Sequence, residues 1–294
     1  MISRRTASLL CRITKGLPLR TVPVASFASK PDPFNSHQVS EQESLTTNDF
    51  VSKNLGLNRF MQKVYNITGL SILGALGTSY AVLSLPITGV AVGQLAIGGM
   101  IASLVGLIGS SWMKPEYMVV SEKLNAREKA EMIVARSSFM RKALYGMGIM
   151  GLGLSAAPLL QMVSLINPSI VPTALGMTAA IFGGASLVAY RMPKDKMLSY
   201  GPVLFGSLMG LIGLQLVGLG AAFFMGPNPF SLMMMKSSSY ISVALFTAFI
   251  AYDTHFAIKM YESGQPDHLG IAVGFILDFW NIFVSLLRIF SSND

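Results

Sequence analysis

Charge is what this chain most conspicuously lacks. Only 12% of its 294 residues are Asp, Glu, Lys or Arg, while 52% are hydrophobic and the mean hydropathy is +0.55. A soluble domain carries about 25% charged residues, and half that density leaves too little polar surface to cover a water-exposed globule. Lipid is the solvent that fits. Cysteine is nearly absent as well, with Cys11 the only one. A single thiol excludes intrachain disulfides, zinc–thiolate sites and iron–sulfur clusters by count.

Acid is missing from the first thirty residues, which hold Arg4, Arg5, Arg12, Lys15, Arg20 and Lys30. Removing those six cations from the net charge of +8 leaves +2, so the basicity belongs mostly to the N-terminus and argues against a nucleic-acid partner. An acid-poor segment bearing Arg and Ser, with its apolar residues interrupted by charge, reads as a mitochondrial transit peptide over 1–30. It would carry Cys11 away on cleavage. Residues 31–58, rich in Pro, Ser and Asn at their start, read as a mobile polar arm outside the membrane.

Long apolar runs then fill residues 59–294. Seven fall near 64–85, 87–112, 143–165, 171–190, 199–225, 237–258 and 269–290. Each is long enough to cross a hydrocarbon core of about 30 Å, which takes roughly 20 helical residues. None alternates as the strands of a membrane barrel do. The expectation is an all-α polytopic membrane protein with seven transmembrane helices, whose first partner is the lipid bilayer.

Basic residues gather on alternate connections. Arg59 and Lys63 flank the first span, seven cations from Lys114 to Lys142 follow the second, and Arg191, Lys194 and Lys196 follow the fourth. The positive-inside rule assigns that side to the matrix and the C-terminus to the opposite side. Within 114–142, four acids accompany the seven bases. That mixture reads as a solvated surface helix.

One motif is deceptive. Gly146-Met147-Gly148-Ile149-Met150-Gly151 matches the dinucleotide pattern GxGxxG, but it lies inside a span, with no acid until Asp195. Its glycines, like Gly206 and Gly210 in the fifth span, read instead as places where helices approach closely in lipid. No Ser-His-Asp set, metal-ligand cluster or phosphate loop lies in the spans, and the expectation is that the protein is not an enzyme and holds no cofactor.

A charge at mid-membrane costs at least about 2.5–3.5 kcal/mol. Asp253 in the sixth span, with Asp278 and Arg288 in the seventh, are the charges far from a loop. Asp278, Asn281, Ser285 and Arg288 recur at helical spacing and form a polar stripe on one face of the last helix. That face must meet protein or water, which places the seventh helix at the centre of the bundle. Helix rise puts Asp278 about 14 Å and Asp253 about 8 Å below the basic side. Two carboxylates sharing a poorly solvated site favour holding one proton between them, and their oxygens suit a hard cation such as calcium. A hydrogen-bonded clamp without ion flux is the alternative. His255, two residues beyond Asp253, falls on a different helix face.

Four stretches resemble the transmembrane Bax-inhibitor-motif family over roughly 58–290. They are Lys63–Gly69 (KVYNITG), Ile166–Phe182 (INPSIVPTALGMTAAIF), Ala251–Gly264 (AYDTHFAIKMYESG) and Leu277–Phe290 (LDFWNIFVSLLRIF). The resemblance implies six helices wrapped around a central C-terminal one. It also implies that Asp253 and Asp278 match the family's pH-sensing acid pair, linked there to calcium leak or exchange. Two departures stand out. The bacterial branch latches the pair with an arginine in the second span, where 87–112 here contains no Arg or Lys, and the Gln usual after Asp-Thr is His255. As a member with a mitochondrial leader the chain resembles the growth-hormone-inducible transmembrane protein branch, which implies the mitochondrial inner membrane, calcium/proton exchange and cristae organisation, while its residue motifs look closer to the Bax inhibitor proper. A non-transporting subunit of an inner-membrane complex, respiratory for instance, is the competing expectation.

Overall fold

A computed structural model describes residues 36–86, 89–125, 128–192, 194–226 and 229–292. The expected transit peptide lies outside the described residues. Contacts divide the chain into Met1–Asp49, of which 36–49 are described and helical, and Phe50–Asp294.

The elements are α1 (Ser36–Leu83), α2 (Gly89–Trp112), the strands β1 (Glu116–Asn125) and β2 (Glu128–Arg136), α3 (Phe139–Ile166), α4 (Ile170–Arg191), the short α5 (Lys194–Ser199), α6 (Gly201–Met225), α7 (Pro229–Glu262) and α8 (His268–Ser291). Seven stretches are long and apolar enough to span a membrane: 56–83 of α1, then α2, α3, α4, α6, α7 and α8. The protein is an all-α polytopic membrane protein. The apolar runs dictate this, because in hydrocarbon a backbone that satisfies its own hydrogen bonds must be helical.

One expectation fails, at 114–142. The polar arm expected over 31–58 is helical from Ser36 onward. Its prolines, Pro31 and Pro33, both precede Ser36, and none follows until Pro86, so nothing interrupts the helix. The stretch 114–142 is an antiparallel hairpin leading into α3, not a surface helix, with Val119 opposite Ile133, Val120 opposite Met132 and Glu116 opposite Arg136. Two apolar, partly β-branched runs, MVV and MIV, sit at matching distances from the turn and favour pairing. The charges between them had masked that pattern. A two-stranded hairpin is marginal on its own, and this one is held at its base, where Ala135 and Ser137 are buried.

The last helix is the core. Within its apolar window 72% of residues are buried, against 11–50% in the other six spans. α7 lies along α8, α4 packs against both, and α6 against α7. Gly264, at a φ of 75°, turns the chain between α7 and α8, a conformation glycine adopts without steric penalty. Tyr65 of α1 stacks on Phe275 of α8 at 5.4 Å, and Phe182 of α4 meets Phe275 edge-on at 5.5 Å.

The glycine expectation holds for α2 and α3. A Cβ at Gly151 would stand 2.5 Å from the Gly99 carbonyl oxygen, and one at Gly106 would stand 2.5 Å from the Gly148 nitrogen. It fails at Gly146, Gly206 and Gly210, where nothing described lies within 4 Å. Among the described residues, those glycines have no neighbouring backbone to admit.

Candidate functional site

Asp253 sits on α7 and Asp278 on α8, and the two helices run antiparallel because only Ser263–Asp267 joins them. Two contacts fix the register of the seam. The Asp253 carboxylate lies against the Cα of Gly274, where a Cβ would collide with Oδ2, and Ser285 Oγ donates to Ser242 Oγ at 2.8 Å. Ser242 precedes Asp253 by eleven residues and Ser285 follows Gly274 by eleven, as an antiparallel pair in register requires. Gly274 lies one turn before Asp278, about 6 Å along the axis at 1.5 Å per residue. The structure therefore brings the two acids onto neighbouring turns of one seam.

Asp278 is 4% exposed, and its Oδ2 has no hydrogen-bond partner among the described residues. Buried polar atoms are paired in the great majority of cases, so such an orphan asks for a water, a proton or an ion. Two further orphans stand near the same stretch of α8, the Tyr65 hydroxyl of α1 and the Ser186 hydroxyl of α4. Tyr65 is stacked on Phe275, one turn from Asp278, and Ser186 lies one turn from Phe182, which touches Phe275 and Phe279. The sequence reading missed both hydroxyls. In sequence they look the same as Thr68 and Thr178, whose hydroxyls donate to the carbonyls of Val64 and Ala174 one turn back.

The polar stripe divides. Asp278 and Ser285 are buried, whereas Asn281 and Arg288 are only half-buried. Asn281 Nδ2 donates to the Leu277 carbonyl of its own helix at 2.8 Å, so it does not reach toward the acids. His255 is buried on α7 at 2% exposure. No group of three or more His, Cys, Asp or Glu side chains able to hold a metal occurs among the described residues. Calcium takes 6–8 oxygen ligands, more than two carboxylates could offer.

The buried cation is elsewhere. Arg141, in the first turn of α3, is 1% exposed. Its Nη1 and Nη2 donate to Oδ1 and Oδ2 of Asp267 at 2.9 and 2.5 Å, its Nε to the Ser110 carbonyl at 2.8 Å and Nη1 also to Ser137 Oγ at 3.3 Å. Asp267 caps α8, accepting the Gly270 N–H at 3.1 Å. One guanidinium thus joins α2, the end of the hairpin, α3 and α8. Tyr117 of β1 lies in the same field: burial first, and then the Asp267 carboxylate, push its phenol above the ordinary value, with Arg141 opposing. The sequence signals only the Asp267 half of this pair, since an Asp before an apolar run is a helix cap.

This architecture has relatives. Residues 57–294 match the family described as "Inhibitor of apoptosis-promoting Bax1". Bax inhibitor 1 of Homo sapiens is 30% identical over 142 residues, which cover 48% of this chain and 56% of that protein. An uncharacterized protein of Helicobacter pylori (strain J99 / ATCC 700824) is 35% identical over 147 residues, covering 48% and 58%. The chain spans somewhat over half the length of the curated relatives it matches. With seven helices long and apolar enough to span a membrane, the C-terminal one the most buried of them, and a family match over residues 57–294, the chain belongs to the Bax inhibitor family of membrane proteins.

Proposed function

We propose that this Bax-inhibitor-like protein is a pH-sensitive calcium leak or calcium/proton exchanger of the mitochondrial inner membrane, working through Asp253 and Asp278. The observation that carries the reading is the unpartnered Oδ2 of Asp278, buried one turn from the Asp253 carboxylate. Two carboxylates so placed can exchange a shared proton for a divalent cation. With so few protein ligands they would hold calcium weakly, which suits passage more than storage. Calcium is then cargo rather than a resident cofactor, and the protein is not an enzyme. The acid-poor N-terminus supports the mitochondrial address.

The test is calcium flux into liposomes holding the purified full chain, followed across pH 6–8. Flux should change with pH, and Asp278→Asn should remove that dependence. A variant whose flux and pH response equal those of the unaltered chain would sink the reading.

A second reading takes the same seam as a clamp in a non-transporting accessory subunit of a respiratory or other inner-membrane complex, or in a cristae organiser. The Ser242–Ser285 hydrogen bond favours it, since it ties α7 to α8 without any ion. It requires stoichiometric co-purification with a large assembly in mild detergent, and migration as a lone monomer counts against it. The name of the relative Bax inhibitor 1 points to a role in cell death, and loss of the gene product should then alter cell survival after an apoptotic stimulus.

A further inference from the structure

On the basic side of the bundle, Lys63 of α1, Arg136 at the end of β2, Lys142 in the first turn of α3 and His268 at the start of α8 line one cavity of about 520 Å³. These side chains come from four elements far apart in sequence, so the fold and not local composition gathers them. Among the described residues lining the cavity there is no carboxylate. Of the acids nearby, Asp267 is already engaged by the Arg141 fork and the Gly270 N–H, and Glu116, opposite Arg136 across the hairpin, is exposed and does not line the cavity. Three permanent cations around a void repel one another, and an anion placed between them relieves that repulsion.

The position narrows the class of anion. Lys142 and His268 lie in the first turns of two candidate membrane spans, and Lys63 lies seven residues into a third, just before its longest apolar run, places that suit contact with lipid headgroups. Ile67, one turn from Lys63, and Leu269, next to His268, give the cavity an apolar wall. A phosphate with an apolar tail complements both halves, and basic pockets between spans are known lipid-headgroup sites. A soluble phosphate compound offers the same charged group without the tail. The volume is within the range of small-molecule sites.

We propose that this cavity binds a phosphate group, carried by an acidic phospholipid of the bilayer or by a soluble phosphate compound. The site is separate from the aspartate pair: His268 precedes Asp278 by ten residues, about 15 Å along α8. The proposal therefore stands or falls without the transport reading.

The full chain in a neutral detergent is titrated with cardiolipin, with phosphatidylcholine, and with sodium phosphate or ATP, and its thermal midpoint and retained ligand (by native mass spectrometry) are read. Cardiolipin should raise the midpoint and remain bound, while phosphatidylcholine should do neither. Lys63→Gln/Lys142→Gln should weaken cardiolipin binding about tenfold or more, since each lost cation removes one contact to an anionic headgroup. Lys63→Arg/Lys142→Arg should keep the binding, and Lys259→Gln, an exposed cation on the same side, should leave it unchanged. Stabilisation by millimolar phosphate or ATP, lost in the Gln pair and absent with cardiolipin, assigns the site to a soluble ligand. Both lysines are exposed, and Arg136→Gln alone provides the same reading should the double variant fail to fold. The proposal is overturned if the unaltered chain retains none of the anionic probes, or if the Gln variants bind them as it does.

Discussion

Arg141 grips Asp267 with both guanidinium nitrogens across 126 positions of sequence, joining the first turn of α3 to the cap of the central helix. The pair sits at the mouth of the α7–α8 seam, on the basic side, while the two membrane acids lie deeper. In this chain the buried arginine clasps the end of the central helix, not the acid pair, and the second span supplies no base at all.

Arg141→Met should be strongly destabilising. It strips the partner from a largely buried carboxylate and leaves the Ser110 carbonyl unmet, a loss of about 3–5 kcal/mol for a broken buried pair. Denaturant titration in mixed micelles measures it. Arg141→Met/Asp267→Asn should recover part of the loss, because Asn still caps α8. Strict additivity of the two substitutions would show that they are not coupled.

Gly274→Ala should disturb Asp253. The added methyl would occupy the place of the carboxylate oxygen, so Asp253 must turn away or α7 must shift. We expect altered pH dependence of calcium flux in liposomes together with about 1–3 kcal/mol of destabilisation. Flux and stability both equal to the unaltered chain would show that the carboxylate does not rest there.

Gly151→Val and Gly210→Ala should differ sharply. A side chain at Gly151 meets the backbone of α2, which cannot give way, while Gly210 has open space. The first should cost at least about 1–3 kcal/mol through overpacking. The second should be neutral or stabilising by up to about 1 kcal/mol from helix propensity. Parallel unfolding titrations separate the two.

Ser242→Ala and Ser285→Ala should be coupled by about 0.6 kcal/mol, the average found for interhelical hydrogen bonds in membranes. A double-mutant cycle reads the coupling, and a value near zero would place the two hydroxyls apart.

Spans and their approximate ends are legible one residue after another, because apolar length and charge cost are local properties in a lipid solvent. That is why the seven helices, the inward face of Asp278 and the central place of the last helix are all readable from composition and spacing. The hairpin was not readable in this way: its pairing sets Val119 against Ile133 across a charged turn, a non-local choice that helix-period reasoning does not register.

Partner choice belongs to the tertiary structure. Nothing local distinguishes Arg141 from the other cations of 114–142, or Tyr65 and Ser186 from hydroxyls that satisfy their own helix. Only packing decides which polar atom is buried, what faces it and what is left without a partner. Placing two acids in the last two spans is a property of the chain; setting one carboxylate against Gly274, a turn from the other, required the antiparallel seam of α7 and α8.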